Sequence, residues 1–184
     1  MFDLDQERIS PSPWGRAGRE EPLHLPPSLF RAFRELAAQQ AGIQIRDGKE
    51  ALVASRIAGR LRELGLADPG EYLARLRDDP TGGEMVRFLD ALCTTFTGFF
   101  RDAEHFSILA GEAVRRLGRG ERRLRVWCAA AASGEEPYSA AMALSEAYAG
   151  ATVDFRVLAT DLSTSALSTA IAGRYTERQL APVP

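Results

Sequence analysis

Few of the side chains that usually carry chemistry are present in this sequence, and each shortage excludes a class of function. The two cysteines, Cys93 and Cys128, stand far apart with no close Cys or His companion. That spacing excludes a zinc site and a secreted disulfide scaffold, and it leaves two half-buried thiols. The two histidines, His24 and His105, have no paired base or metal motif around them, so no His-centred catalytic group is expected. Lysine is almost missing: Lys49 is the only one and the other basic residues are arginine, a bias without functional meaning. No apolar run approaches the roughly 20 residues that span a bilayer. Met1 to Arg8 is acidic rather than the basic start of a signal peptide. A cytoplasmic protein without membrane insertion is therefore expected. Excess charge of one sign is missing too, since 23 basic residues face 25 acidic ones for a net charge of -2. Bulk nucleic-acid binding is not implied, and any anionic partner must meet a local patch.

What is present suits one good-sized domain or two small ones, with 45% apolar residues among 184 to build a core. Residues 1–27 are rich in Pro, Gly, Ser and charge and read as a flexible leader. From Ser28, read as an N-cap, Leu29, Phe30, Phe33, Leu36 and Ala37 recur at helical spacing until Gly42 stops them. A second helix is predicted from about Lys49 to Leu64, with Val53, Ile57 and Leu61 on one stripe and Gly65 as the stop. Asp68 and Pro69 restart the chain as cap and first helical residue, and a fourth helix covers about Gly83 to Cys93 with Met85, Val86, Leu89 and Leu92 on its apolar side. Residues 28–93 thus form a small all-helical unit.

After Arg101 the pattern changes. A helix with Phe106, Leu109, Ala113 and Leu117 facing inward precedes the β-rich run Leu124 to Cys128, the small-residue loop Ala129 to Gly134 and a helix opening at Glu135. A second apolar strand, Val153 to Ala159, then leads to Thr160-Asp161 and a helix over about Ser163 to Ala172. Strand, loop, helix, strand, helix is a βαβα unit of a parallel sheet. A small-residue loop lets a ligand approach the backbone, and an acidic residue after the next strand can accept bonds from both ribose hydroxyls. The loop lacks G-x-G-x-x-G, and two carboxylates, Glu135 and Glu136, open its helix. They repel phosphate while gaining from the helix dipole, which favours a cationic ligand with a ribose over a dinucleotide. Each residue also has a plain structural reading: the glutamates as good helix starters, Asp161 as an N-cap, Phe99 and Phe100 as core, Arg101 as half of a surface ion pair.

The run Leu124 to Ser139, ending Gly134-Glu135-Glu136-Pro137-Tyr138-Ser139, resembles the signature of the chemotaxis receptor methyltransferases, the CheR family. Thr94 to Arg101 and Ala159 to Ser163, followed by Gly173-Arg174-Tyr175, resemble two further landmarks, so the likeness covers about residues 28–181. It implies an α/β fold: an all-helical receptor-recognition domain at 28–93, followed at 94–184 by the first half of a Rossmann-like class I methyltransferase domain. It implies S-adenosylmethionine as methyl donor, S-adenosylhomocysteine as product, and donor-binding roles for Thr95, Thr97, Arg101, Glu135 and Asp161. Threonine at 95 stands where the family usually has asparagine and is shorter by one polar head. The family's sheet continues with further strands, including a Cys-Arg-Asn stretch, and nothing of the kind follows Leu180. A donor pocket short of a wall implies that these 184 residues turn over little by themselves.

The activity so implied is that of a protein-glutamate O-methyltransferase, acting on the cytoplasmic helices of methyl-accepting chemotaxis receptors. Those helices are acidic in the family's pattern, and Arg56, Arg60 and Arg62 on the second helix, with Lys49, form the expected partner-binding face. A solvated surface with Glu50 and Glu63 interspersed is the alternative reading of those arginines. Two rival functions remain: a non-catalytic module that docks on the receptor or holds the donor, and a nucleotide-dependent oxidoreductase, against which the missing glycine fingerprint weighs.

Overall fold

The computed structural model describes residues 22–184. Among the described residues, five helices precede the first strand: α1 Pro27–Ala41, α2 Glu50–Leu64, α3 Pro69–Arg77, α4 Gly83–Leu92 and α5 Glu104–Gly118. Then come β1 Arg123–Ala129, α6 Glu135–Ala147, β2 Asp154–Thr160, α7 Thr164–Ala172 and the short α8 Glu177–Leu180. Most of the predicted stops hold. Gly42 and Gly65 end α1 and α2 in the left-handed region at φ 69° and 67°, where glycine escapes the Cβ penalty. Asp68 caps α3 by accepting the Gly70 N–H at 2.9 Å, with Pro69 in the first turn.

Two boundaries differ from the sequence reading. Ser28 is not the cap of α1: Pro26 holds that position and Pro27 opens the helix, its fixed φ suiting the first turn. The expected leader reaches too far, because Leu25 is buried in the helical core and Leu23 packs against it. Residues 1–21 of that leader lie outside the described residues.

α1 to α4 enclose one core, centred on Phe33, Tyr72 and Phe88, whose ring centroids lie 5.8 to 6.4 Å apart. Phe88 rather than Val86 is the buried apolar anchor of α4, since Val86 points to solvent. Beside the aromatic trio lies a buried polar cluster. Arg60 donates to both oxygens of Glu84, Nε to Oε1 at 3.0 Å and Nη2 to Oε2 at 2.9 Å, and Tyr72 donates to Glu84 Oε1 at 2.9 Å. Burial first and the Glu84 carboxylate second push the Tyr72 phenol far above its usual range.

β1 and β2 pair in parallel from Arg123↔Asp154 to Ala129↔Thr160. Alternation sends Leu124, Val126, Cys128, Phe155 and Val157 to a face packed against α5 and α6. Arg125, Trp127, Arg156 and Leu158 occupy the other face, where Trp127 is 68% and Leu158 61% exposed. α7 leaves β2 to pack against α4, so the helical unit and the sheet unit meet there.

Candidate functional site

The site grows from the loop after β1. Ala130, Ala132 and Gly134 all have positive φ, at 60°, 46° and 102°. Two alanines in the left-handed region cost about 1–2 kcal/mol each, and such backbone persists where its surroundings over-determine it. Here they do. Ala131 N–H donates to the Thr160 carbonyl at 2.9 Å, Gly134 N–H to the Ala131 carbonyl at 3.0 Å, and Ala132 N–H to Asp161 Oδ2 at 2.7 Å. At Gly134 a Cβ would stand 2.6 Å from the Tyr175 hydroxyl and 2.8 Å from Ala170 Cβ, so only glycine fits.

Asp161 follows β2 and is held from both sides. Besides Ala132, the Ser163 N–H donates to its Oδ1 at 2.7 Å. One acceptor direction on each oxygen stays free for a ligand. The N-cap of α7 is Ser163, whose Oγ accepts the Ala166 N–H, so the plain structural role considered for Asp161 falls to its neighbour. Asp161 lines a cleft of about 480 Å³ with Ala130 and Thr160 on the sheet side and Leu92, Cys93 and Thr94 on the helical side. Burial, and then the charges of Asp161 and Asp90, raise the Cys93 thiol above its ordinary pKa, so it is not a poised nucleophile.

Glu135, at the start of α6, lies behind the same loop and is only 3% exposed. Its Oε2 accepts from Ser133 Oγ at 2.6 Å and its Oε1 from Gln179 Nε2 at 3.4 Å. Both partners are neutral, and among the described residues no ion pair includes Glu135. A buried carboxylate without a cation is costly, and a positively charged group beside it would offset that cost. Glu136 is exposed and takes no part.

Asp161 is thus bonded to the middle of the loop and lines the cleft, whereas Glu135 follows the loop's end and, like Thr95, Thr97 and Arg101, does not line it. Thr95 is exposed and Thr97 half-buried, and neither lines the cavity; Thr94 does. Arg101 turns back on its own segment, donating to the Phe96 carbonyl at 3.2 Å with its guanidinium 4.6 Å from the Phe96 ring centroid. The segment is tied to the site by a residue without an assigned role in the sequence reading. Ser139, fully buried, accepts the Phe100 N–H at 2.9 Å and donates to the Glu135 carbonyl at 2.7 Å. Tyr175 is a second such residue. Its hydroxyl donates to the Ser133 carbonyl at 2.8 Å, and its ring meets Phe99 edge-on at 4.9 Å. Both belong to the quoted landmarks, which was the available signal.

On α2, Arg56 and Arg62 are exposed, but Arg60 is not. The structure corrects that assignment: Arg60 is 8% exposed and committed to Glu84 and Glu63. A shared helical face does not guarantee shared exposure, because α4 covers its Arg60 end.

Residues 28–93 match the family description "CheR methyltransferase, all-alpha domain" and residues 95–184 match "CheR methyltransferase, SAM binding domain". The chain belongs to the CheR methyltransferase family. The boundary between the two CheR matches falls at the junction of α4 with the segment leading to α5. The chemotaxis protein methyltransferase of Escherichia coli (strain K12) is 42% identical over 160 residues, 87% of this chain and 54% of that protein. The protein of the same name from Salmonella typhimurium is 44% identical over 153 residues, 83% of this chain and 52% of that one. Chemotaxis protein methyltransferase 2 of Pseudomonas aeruginosa is 40% identical over 167 residues, 91% of this chain and 58% of that one. The chain spans about half the length of these relatives. The CheR match fixes the cofactor class as S-adenosylmethionine, and the residues fit it. Glu135 has no cation of its own and Asp161 keeps free acceptor directions, the kinds of acceptor that a sulfonium, an ammonium and a ribose require. Among the described residues no metal-binding cluster is present and no helix is long and apolar enough to cross a membrane.

Proposed function

We propose that this CheR chain holds S-adenosylmethionine across the loop from Ala129 to Gly134, and that the protein methylates glutamate side chains of methyl-accepting chemotaxis receptors, forming methyl esters. The observation that carries the donor assignment is the buried, cation-free carboxylate of Glu135. The donor supplies an electrophilic methyl on its sulfonium. Asp161, clamped by two backbone N–H groups, presents its free acceptor directions to the ribose, and the carboxylate of Glu135 answers the cationic end. Thr95, Thr97 and Arg101 are the further donor contacts that the family resemblance implies, and they stand outside the cleft.

A receptor glutamate is already ionised at neutral pH, so its attack on the methyl needs no strong base. Positioning carries the rate, consistent with a cleft lined by no histidine. The helical half supplies association. Lys49, at the N-cap of α2, and Arg56, seven residues on, share an exposed face, and Arg62 adds charge on a neighbouring one. That face suits an acidic helix and speeds encounter without touching the chemistry.

Titration with S-adenosylhomocysteine tests the donor site: Asp161→Ala should weaken binding by about 1.5–3 kcal/mol, the worth of charge-assisted hydrogen bonds. Equal affinity of the variant and the parent would remove the ribose assignment. For the substrate, labelled methyl transfer to receptor-containing membranes should be run with a chimera that continues this chain with the remaining half of the Escherichia coli relative. Base-labile label on receptor glutamates is expected. Donor binding without any transfer would instead favour the docking-module reading.

A further inference from the structure

Among the described residues, one side chain, Asp90, makes the polar connection between the two halves of the chain. Asp90, near the end of α4, accepts three hydrogen bonds from the start of α7: from Thr164 N–H to Oδ1 at 2.7 Å, from Thr164 Oγ1 to Oδ2 at 2.8 Å, and from Ser165 N–H to Oδ2 at 3.3 Å. Among the described residues, no other side-chain hydrogen bond and no ion pair crosses between residues 22–93 and 94–184. A carboxylate at the first turn of a helix answers its free N–H groups and its dipole. Here the carboxylate comes from 74 residues away. The helix already has its own cap in Ser163, so Asp90 adds a connection between halves rather than a missing cap.

Both ends of that connection adjoin the cleft. Asp90 lies two residues before Leu92 and three before Cys93, which line the helical side, and Thr164 lies three residues after Asp161, which lines the sheet side. The segment from Asp161 to Ser165 is thus pinned at one end by Ala132 and Ser163 N–H groups on Asp161, and at the other by Asp90. Without Asp90 the helical side of the cleft could move relative to the sheet side with no polar bond broken.

We infer that Asp90 is a positioning residue of the donor site: it latches the helical half onto α7 and so sets the width of the cleft in which Asp161 meets the ribose. The proposal rests on the donor reading given above. It makes the helical half part of the donor pocket, and so couples whatever docks on α2 to donor affinity.

The test is titration of S-adenosylhomocysteine into the parent chain, Asp90→Ala, Asp90→Asn and Asp161→Ala, together with urea unfolding of each. Asp90→Ala should lose about tenfold in affinity, the scale of one charge-assisted bond. Asp90→Asn keeps one acceptor oxygen for three donors and should fall between Asp90→Ala and the parent; it also serves if the alanine variant fails to fold. A contact that only stabilises the fold would lower the unfolding midpoint and leave the dissociation constant unchanged, and that result overturns the proposal. So does parent-like affinity in both Asp90 variants while Asp161→Ala is weakened. A parent chain that binds no ligand, or binds it unchanged in Asp161→Ala, overturns the donor reading and the latch with it.

Discussion

Arg56 and Arg60 are four residues apart on one helix, yet the fold gives them opposite tasks. Arg60 is the cation of a buried pair, its guanidinium spread over both oxygens of Glu84. Removing it strands that carboxylate, so Arg60→Ala should cost about 3–5 kcal/mol of stability, read as a fall in the urea midpoint. Arg56→Glu removes an exposed charge and should leave the midpoint within about 0.5 kcal/mol. Its expected effect is on receptor association, greater at low salt than at high salt because exposed charges are screened. An Arg56→Glu variant with a lowered midpoint and salt-independent receptor binding would mean that Arg56, too, serves the fold. Replacing both arginines together would confound the two effects.

At the scale of elements, the entry to α6 is where the packing tolerates least. Gly134 is crowded by Tyr175 and Ala170 and stands at φ 102°, so Gly134→Ala should destabilise by about 1–3 kcal/mol through overpacking and should weaken donor binding by displacing Glu135. Unchanged thermal unfolding of that variant would show that the loop can relax. Tyr175 gives an independent handle. Burial, then the charge of Glu135, pushes its phenol up to about 12. A raised phenol pKa means that the hydroxyl's contribution to stability is complete below about pH 10, the unfolded value, and is lost as pH rises from there to about 12. Tyrosinate absorbance should therefore show a transition near 12 that Tyr175→Phe lacks. The same transition in both proteins would mean that another tyrosine is responsible.

Over the whole molecule, one face of the two-stranded sheet is packed and the other is open, with Trp127 and Leu158 side by side across the ladder. Neighbouring exposed apolar groups on a sheet favour association. The chain is expected to self-associate as concentration rises, and Leu158→Glu should reduce that association without lowering the unfolding midpoint, because the side chain is already 61% exposed. Sedimentation velocity over a concentration series decides it. A parent that stays monomeric throughout would show that the face is adequately solvated.

Local chemistry determined much of this protein. Apolar spacing and stop residues set the helices of the first half, because period and capping act over a few residues. The alternating runs Leu124 to Cys128 and Val153 to Ala159, with a small-residue loop between strand and helix, set the parallel unit, and the Gly134 to Ser139 motif carried the family. The long-range partners were decided only by tertiary structure. Asp90 and Thr164, Arg60 and Glu84, and Tyr175 and Ser133 are separated by 74, 24 and 42 positions, and no periodicity links such pairs. Whether an arginine meets solvent or a buried carboxylate, and whether an aspartate caps its own helix or another's, depends on which surface folds against it. Packing of α4 against α2 and α7 settled both.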